Sequence, residues 1–246
     1  MNRRFGWIPD IPDVRDAPYM YTPPKRFNRT SDLSNILTWL YDQGDLGSCT
    51  AQGGATAHRF AQIKQGVKHV MLPSRLFAYW NARLRIGTTG EDSGAQIRDI
   101  FKSFRKEGVC SEARWKYHIK DFATKPTPAC FEQALLHQGI SMHRVEQTEA
   151  GIKGCLSEGF PVVYGFAVYE SIADAERTGK IPMPKDGEEL LGEHCVTLAG
   201  HDILTGKGAN SWGRRWGNRG WFTMPLDYIL NPDLCADFWT LRLVEV

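Results

Sequence analysis

The chain has 246 residues, 42% hydrophobic and 24% charged, a balance that supplies a core and excludes a disordered or fibrous chain. A formal net charge of +2 leaves no electrostatic footprint for nucleic acid or an anionic membrane surface. No apolar run reaches the roughly 18 residues that a membrane span needs.

Residues 1–31 read as an extended arm, because Pro9, Pro12, Pro18, Pro23 and Pro24 forbid a regular helix. Basic residues open this arm without an apolar stretch behind them, so no secretory signal is read and a cytoplasmic or non-classically exported protein is expected. Ser48 through Gln65 is Ala-rich and predicts a helix with a Ser cap and a stop at Gly66. A second helix is predicted from Pro73-Ser74 to Gly87. A third, from Gly94 to Gly108, aligns Ile97, Ile100, Phe101 and Phe104 on one face. Thr127–Gly139 and Thr148–Gly159 read as shorter helices.

Beyond Pro161 the texture turns strand-like, with runs over 162–168, 195–199, 220–224 and 238–244 between Gly, Asp and Pro punctuation. Residues 171–193 are polar and read as a surface excursion. Helices early and strands late predict an α+β fold, with a mainly helical lobe over 32–139 and a β-rich lobe over 140–246.

The six cysteines, Cys49, Cys110, Cys130, Cys155, Cys195 and Cys235, form no C-x-x-C pair. That spacing argues against structural zinc and against a disulfide-dense module, so buried thiols are the default. Cys49 differs by position. It follows Gln43-Gly-Asp-Leu-Gly-Ser at the start of the first long helix, where unpaired N–H groups and the helix dipole lower a thiol's pKa. Downstream stand Gly192-Glu-His194-Cys195, a His at the head of an apolar strand, and Asn210-Ser-Trp212-Gly-Arg-Arg-Trp216-Gly. Each segment alone has a structural reading: a packed thiol, a satisfied strand-edge His, a turn with core tryptophans.

In combination, the order Gln, Cys, His, Asn-Ser-Trp-Gly resembles the papain-like cysteine peptidases. The likeness runs from about residue 32 to the C-terminus, and the Asn210–Trp221 stretch is its most specific part. It implies a two-lobed fold, a helical lobe plus an antiparallel β-barrel-like lobe, with the active site in the cleft between them. It further implies Cys49 as nucleophile, His194 as acid and base, Asn210 as the group that orients the imidazole, and Gln43 as an oxyanion donor. Trp212 would cover the Asn–His pair and Trp216 would line the leaving-group side. Ser93 and Gly94 would form a wall that binds extended peptide, and Glu193 and Cys195 would flank a side-chain pocket.

The sequence also departs from the family. Thr50 replaces the usual aromatic residue after the nucleophile, and Leu46 removes a common disulfide partner. Only 31 residues precede Asp32, where a large inhibitory pro-domain usually stands. These features resemble bacterial and viral branches. The expected function is hydrolysis of peptide bonds through a thioester. The expected partner is a peptide or protein substrate, with no nucleic acid, membrane, metal or cofactor, and the expected state is a monomer. Alternatives are acyl transfer by the same residues, a catalytically weak protein-binding module, and a His194–Cys195–His201 metal site, which strand alternation disfavours.

Overall fold

A computed structural model of the chain describes residues 4–20 and 28–245. Residues 1–3 and 21–27 of the expected arm, Pro23 and Pro24 among them, lie outside the described residues. After a two-residue strand β1 (Ser31–Asp32) come helices α1 (Cys49–Lys64), α2 (Arg75–Ile86), α3 (Ile97–Lys106) and α4 (Pro128–Ala134). Then follow β2 (Gly139–Arg144), α5 (Glu149–Ser157), β3 (Val162–Tyr169), α6 (Ala175–Thr178), β4 (Leu190–His201), β5 (Thr205–Ala209), β6 (Trp221–Pro225), α7 (Leu226–Leu230) and β7 (Cys235–Val244).

The caps explain most helix boundaries. Ser74 accepts a hydrogen bond from the Phe77 N–H, and Gly87, left-handed at φ 75°, ends α2. Ser48 departs from the expected role. It starts α1 without a side-chain cap, because its hydroxyl is engaged by Tyr117 Oη at 2.5 Å and Gln52 Nε2 at 3.0 Å. The α4 helix stops at Ala134 rather than reaching Gly139, and the following residues cross to β2, an edge strand paired with β7.

The strands of the described residues form one antiparallel sheet in the order β2-β7-β3-β4-β5-β6, with β1 added on β4. It is an open sheet and not the closed barrel suggested by the barrel-like expectation. Residues 190–193 belong to it, so the expected surface excursion ends earlier than residue 193. The arm blunts one edge: Ala17 and Tyr19 exchange main-chain bonds with Arg144 of β2, at 2.9 and 2.8 Å.

Helix α1 is buried over most of its circumference because small residues let its neighbours approach. A Cβ on Gly53 would stand 2.8 Å from Val163 of β3, and one on Gly54 would stand 2.4 Å from Ile100 of α3. One core cluster joins α1–α3 to Val163, Cys195, Trp239 and Leu241 of the sheet. A second fills the far face around Tyr164, Phe166, Trp212 and Phe238. The first residue of α1 therefore sits where the helices meet the sheet.

Candidate active site

The loop ahead of α1 is tied from several sides. Asp92 accepts from the Gly47 N–H at 3.0 Å and from Tyr79 Oη at 2.6 Å, and Tyr117 Oη donates to the Gln43 carbonyl at 2.9 Å. On the sheet side, the Gln43 N–H donates to the Ser211 carbonyl at 2.9 Å and Gly213 N–H to Tyr41 at 3.1 Å. These bonds hold Gln43 and Cys49 against the segment that carries Asn210 and Trp212.

His194 lies on β4 and is fully buried. Its Nε2 donates to Asn210 Oδ1 at 2.8 Å, and the Ser211 N–H donates to the same oxygen at 2.7 Å. The second bond fixes which way the Asn210 amide points, so the imidazole carries its proton on Nε2 and turns Nδ1 to the opposite side. Trp212 stacks on the His194 ring with centroids 4.6 Å apart, excluding water from the Asn–His bond. Trp216 packs edge-on beneath Trp212 at 5.0 Å and is 1% exposed. In this closed form it underlies Trp212 and offers almost no surface to the cleft.

Ser211 acts here through a contact that its position in the motif did not reveal. Its hydroxyl donates to Gln43 Oε1 at 2.7 Å, so Gln43 must present Nε2 the other way, toward the Leu46 carbonyl at 2.9 Å and the Arg4 carbonyl at 3.0 Å. One short segment thereby sets both the imidazole and the amide donor.

A sequence model described as the papain family of cysteine proteases matches residues 23–231. The chain belongs to this family. It is 37% identical to an uncharacterized peptidase C1-like protein of Acanthamoeba polyphaga mimivirus, an alignment spanning 99% of this chain and 88% of that one. Among solved structures, xylellain, a cysteine protease from Xylella fastidiosa, superposes with a TM-score of 0.91 at 36% identity, covering 98% of this chain and 97% of that one. Procathepsin B of Trypanosoma congolense shares the fold, with a TM-score of 0.78 at 17% identity over 100% of this chain and 88% of that one.

The cleft of this papain-family protease is filled by its own arm. Arg4 places its carbonyl on Gln43, Phe5 makes T-shaped contacts with His194 and Trp212, each 6.3 Å away, and the Gly6 backbone lies near enough to Cys49 to favour its thiolate. Trp7 then pairs in parallel with Ala95. Ala95 N–H donates to Gly6 O at 2.9 Å, Ile8 N–H to Ala95 O at 3.1 Å, and Trp7 N–H to Glu193 O at 3.2 Å. The expected wall is therefore used one residue further on, by Gly94-Ala95, while the Ser93 hydroxyl turns aside to Thr88 at 2.7 Å. Gly94 at φ +78° has to be glycine twice over: a Cβ would also stand 2.5 Å from Gly6 O. Gly6 is as constrained, since its Cβ would fall 1.8 Å from the Gly47 carbonyl.

This burial reverses the state expected of the Cys49 thiol. Desolvation pushes the Cys49 thiol up to about 12, outweighing the N–H groups of Cys195, Gly6 and Thr50 that favour its thiolate. The lowering effect of the helix start is present but smaller than the cost of closing the cleft. Cys195 is the register partner of Gly165, so the two share the sheet face on which Trp7 packs. All six cysteines are free and buried. Sequence reasoning expected the arm to lie extended on the surface or near the cleft, strapped across the lobes, but singled out none of Arg4–Trp7.

Proposed function

We propose that the chain hydrolyses peptide bonds through a thioester acyl-enzyme and that the arm holds it in a latent form. The observation that carries this reading is the position of the arm's main chain: the Arg4 carbonyl lies on Gln43 Nε2, and two residues on Gly6 packs against the Gly47 backbone of the loop that leads into Cys49. A scissile peptide group needs that same environment. With the cleft open, the Cys49 thiolate attacks the carbonyl carbon and Gln43 Nε2 donates to the developing oxyanion. His194, held through Nε2 by Asn210, has taken the thiol proton on Nδ1; it delivers that proton to the departing amine, then takes one from the water that attacks the thioester and returns it to the Cys49 sulfur as the acid leaves.

The direction of the arm explains why it is not consumed. His194 and Trp212 mark the leaving-group side, because the imidazole has to reach the departing nitrogen. Phe5 lies on that side and Trp7 on the opposite one, so the arm runs from leaving side to acyl side. A productive substrate runs from acyl side to leaving side. The arm thus presents its peptide groups backwards to the nucleophile.

Replacing Cys49 by Ala abolishes turnover of a broad peptide substrate and labelling by a thiol-reactive peptidyl inhibitor, both measured after arm release. Turnover that survives the substitution overturns the assignment.

A further inference from the structure

We propose that Tyr79 is a positioning residue for acyl transfer: its phenol ties the Gly94–Ala95 wall to the Gly47–Cys49 turn and so fixes the distance between a bound peptide main chain and the sulfur. The inference rests on the peptidase reading above and adds to it a residue that acts through Asp92 and Gly94, away from the reacting atoms.

Tyr79 lies in the middle of α2 and is fully buried. Its hydroxyl accepts from the Gly94 N–H at 3.0 Å and donates to Asp92 Oδ1 at 2.6 Å. Asp92 in turn accepts from the Gly47 N–H, at 3.0 Å through Oδ1 and 3.1 Å through Oδ2. The order of protons has one solution. Both ends of the chain are N–H groups that only donate and the carboxylate only accepts, so the phenol must give its proton to Asp92 and receive from Gly94.

The two ends are the parts of the site that have to keep register. On one side, Ala95 makes the main-chain bonds now taken by Gly6 and Ile8 of the arm. On the other, Gly47 leads into Cys49. No disulfide ties the two segments, since all six cysteines are free. Hydrogen bonds carry the tie instead, and a phenol suits it by placing donor and acceptor on one atom at the end of a rigid ring.

The ring and the carboxylate are both held by α2. Arg83, one turn beyond Tyr79, sets its guanidinium over the Tyr79 ring at 4.1 Å and donates to the carbonyls of Thr89 and Glu91. One helix face thereby fixes the loop backbone that leads into Asp92 as well as the hydroxyl that Asp92 accepts. The Cys49 loop has a separate hold at its other end, where Tyr117 Oη donates to the Gln43 carbonyl. Without the Tyr79 hydroxyl the loop therefore stays folded but can shift against the wall. A misplacement of about 1 Å between reacting groups costs about 100-fold in rate. Only a substrate that grips the wall meets that penalty.

The test uses the full chain carrying Gly6→Ala, whose arm cannot seat against Gly47, with rates taken per Cys49 site labelled by iodoacetamide. One substrate is an extended peptide amide that spans Gly94–Ala95. The other is p-nitrophenyl acetate, which reaches Cys49 with no main chain on the wall. Tyr79→Phe keeps the ring against Arg83 and removes only the hydroxyl. For the peptide, kcat is expected to fall about tenfold to a hundredfold with KM within about twofold, while acetate hydrolysis stays within about threefold. Asp92→Leu is expected to reproduce this split, and Asp92→Asn, which keeps an acceptor at Oδ1, to recover most of the peptide kcat. Peptide and acetate rates that fall together, an unchanged peptide kcat, or a loss of labelled sites in Tyr79→Phe makes the hydroxyl a matter of stability alone and overturns the inference, leaving the peptidase reading standing. Peptide turnover that survives Cys49→Ala overturns both.

Discussion

Substituting Gly6 by Ala tests whether the arm is the lock. The added Cβ would lie 1.8 Å from the Gly47 carbonyl oxygen and 2.3 Å from its carbon. These are backbone atoms, and the Gly47 N–H is itself held by Asp92, so the loop before Cys49 cannot yield. Relief needs a shift of the arm by more than about 1 Å, since ordinary Cβ contacts begin near 3.4 Å. The bonds at 2.9–3.2 Å from Ala95 to Gly6, from Trp7 to Glu193 and from Gln43 to Arg4 would then exceed hydrogen-bond range. Losing three such bonds at about 1 kcal/mol each is a loss of about 3 kcal/mol. That corresponds to a rise in the open population of about 150-fold. Alkylation of Cys49 by a small thiol reagent, followed by mass spectrometry, reads this directly, because an open cleft removes the desolvation that suppresses the thiolate. Cys110, Cys155 and Cys235 are buried in the cores and serve as internal controls. Selective acceleration at Cys49 is expected. An unchanged rate refutes the lock, and equal acceleration at the control cysteines shows unfolding in place of arm release.

Ser211→Ala frees the Gln43 amide to rotate and leaves Oε1 unpaired, so kcat falls about tenfold while the alkylation rate of Cys49 in an arm-released background is unchanged. Arm docking is expected to strengthen in mild acid through Asp10, whose carboxyl burial, and then Asp237, raise from 3.8 to about 6. Protonation is therefore favoured in the docked arm: the stabilisation is complete below about pH 4 and lost as pH rises through about 6, amounting to about 3 kcal/mol. Cys49 alkylation in the wild-type chain, taken relative to Asp10→Asn at each pH, should rise across that window; a flat ratio refutes the linkage. Arg83 is fully buried and donates to the carbonyls of Thr89 and Glu91 at 2.9 and 2.6 Å, holding the loop that carries Asp92. Arg83→Met leaves those carbonyls unpaired and should cost about 3–5 kcal/mol in urea unfolding, with a smaller loss contradicting that role.

The chemical groups were legible in sequence because their chemistry dictates residue type. In the proposed mechanism a nucleophile, a base and an orienting amide cannot be replaced by residues of similar size, so Cys49, His194 and Asn210, the residues proposed for those roles, stand out in order. Helix α2 was legible for a comparable reason, since Ser74 and Gly87 mark its ends by local hydrogen bonding and backbone geometry. Strand β5, Thr205–Ala209, was not legible: Thr-Gly-Lys-Gly-Ala has almost no strand preference. Packing explains it instead, because a Cβ on Gly208 would stand 2.3 Å from the Phe222 ring of β6 and one on Gly206 would stand 2.5 Å from Ile229. These glycines let neighbours close over the strand, and only the partners reveal it. The seat of the arm rests on Gly6, Gly47, Gly94 and Gly165, four positions whose common feature is the space left by an absent side chain.

The arm and a substrate use the same donors, and this makes one substitution act in opposite directions on two measurements. Gln43 Nε2 donates to the arm through Arg4 O and, in the proposed mechanism, to the oxyanion in the transition state. Gln43→Ala removes both interactions. Losing the bond to Arg4, worth about 1 kcal/mol, loosens the arm about fivefold. Losing an oxyanion donor slows acyl transfer about 100- to 1000-fold, because charge develops on that oxygen only in the transition state. Alkylation of Cys49 by a small reagent needs access and thiolate, not an oxyanion donor, so it should rise modestly while peptide turnover collapses. A side chain with a purely structural role would move both readings the same way. Parallel loss of labelling and turnover would place Gln43 in the scaffold of the Cys49 loop and remove it from the chemistry.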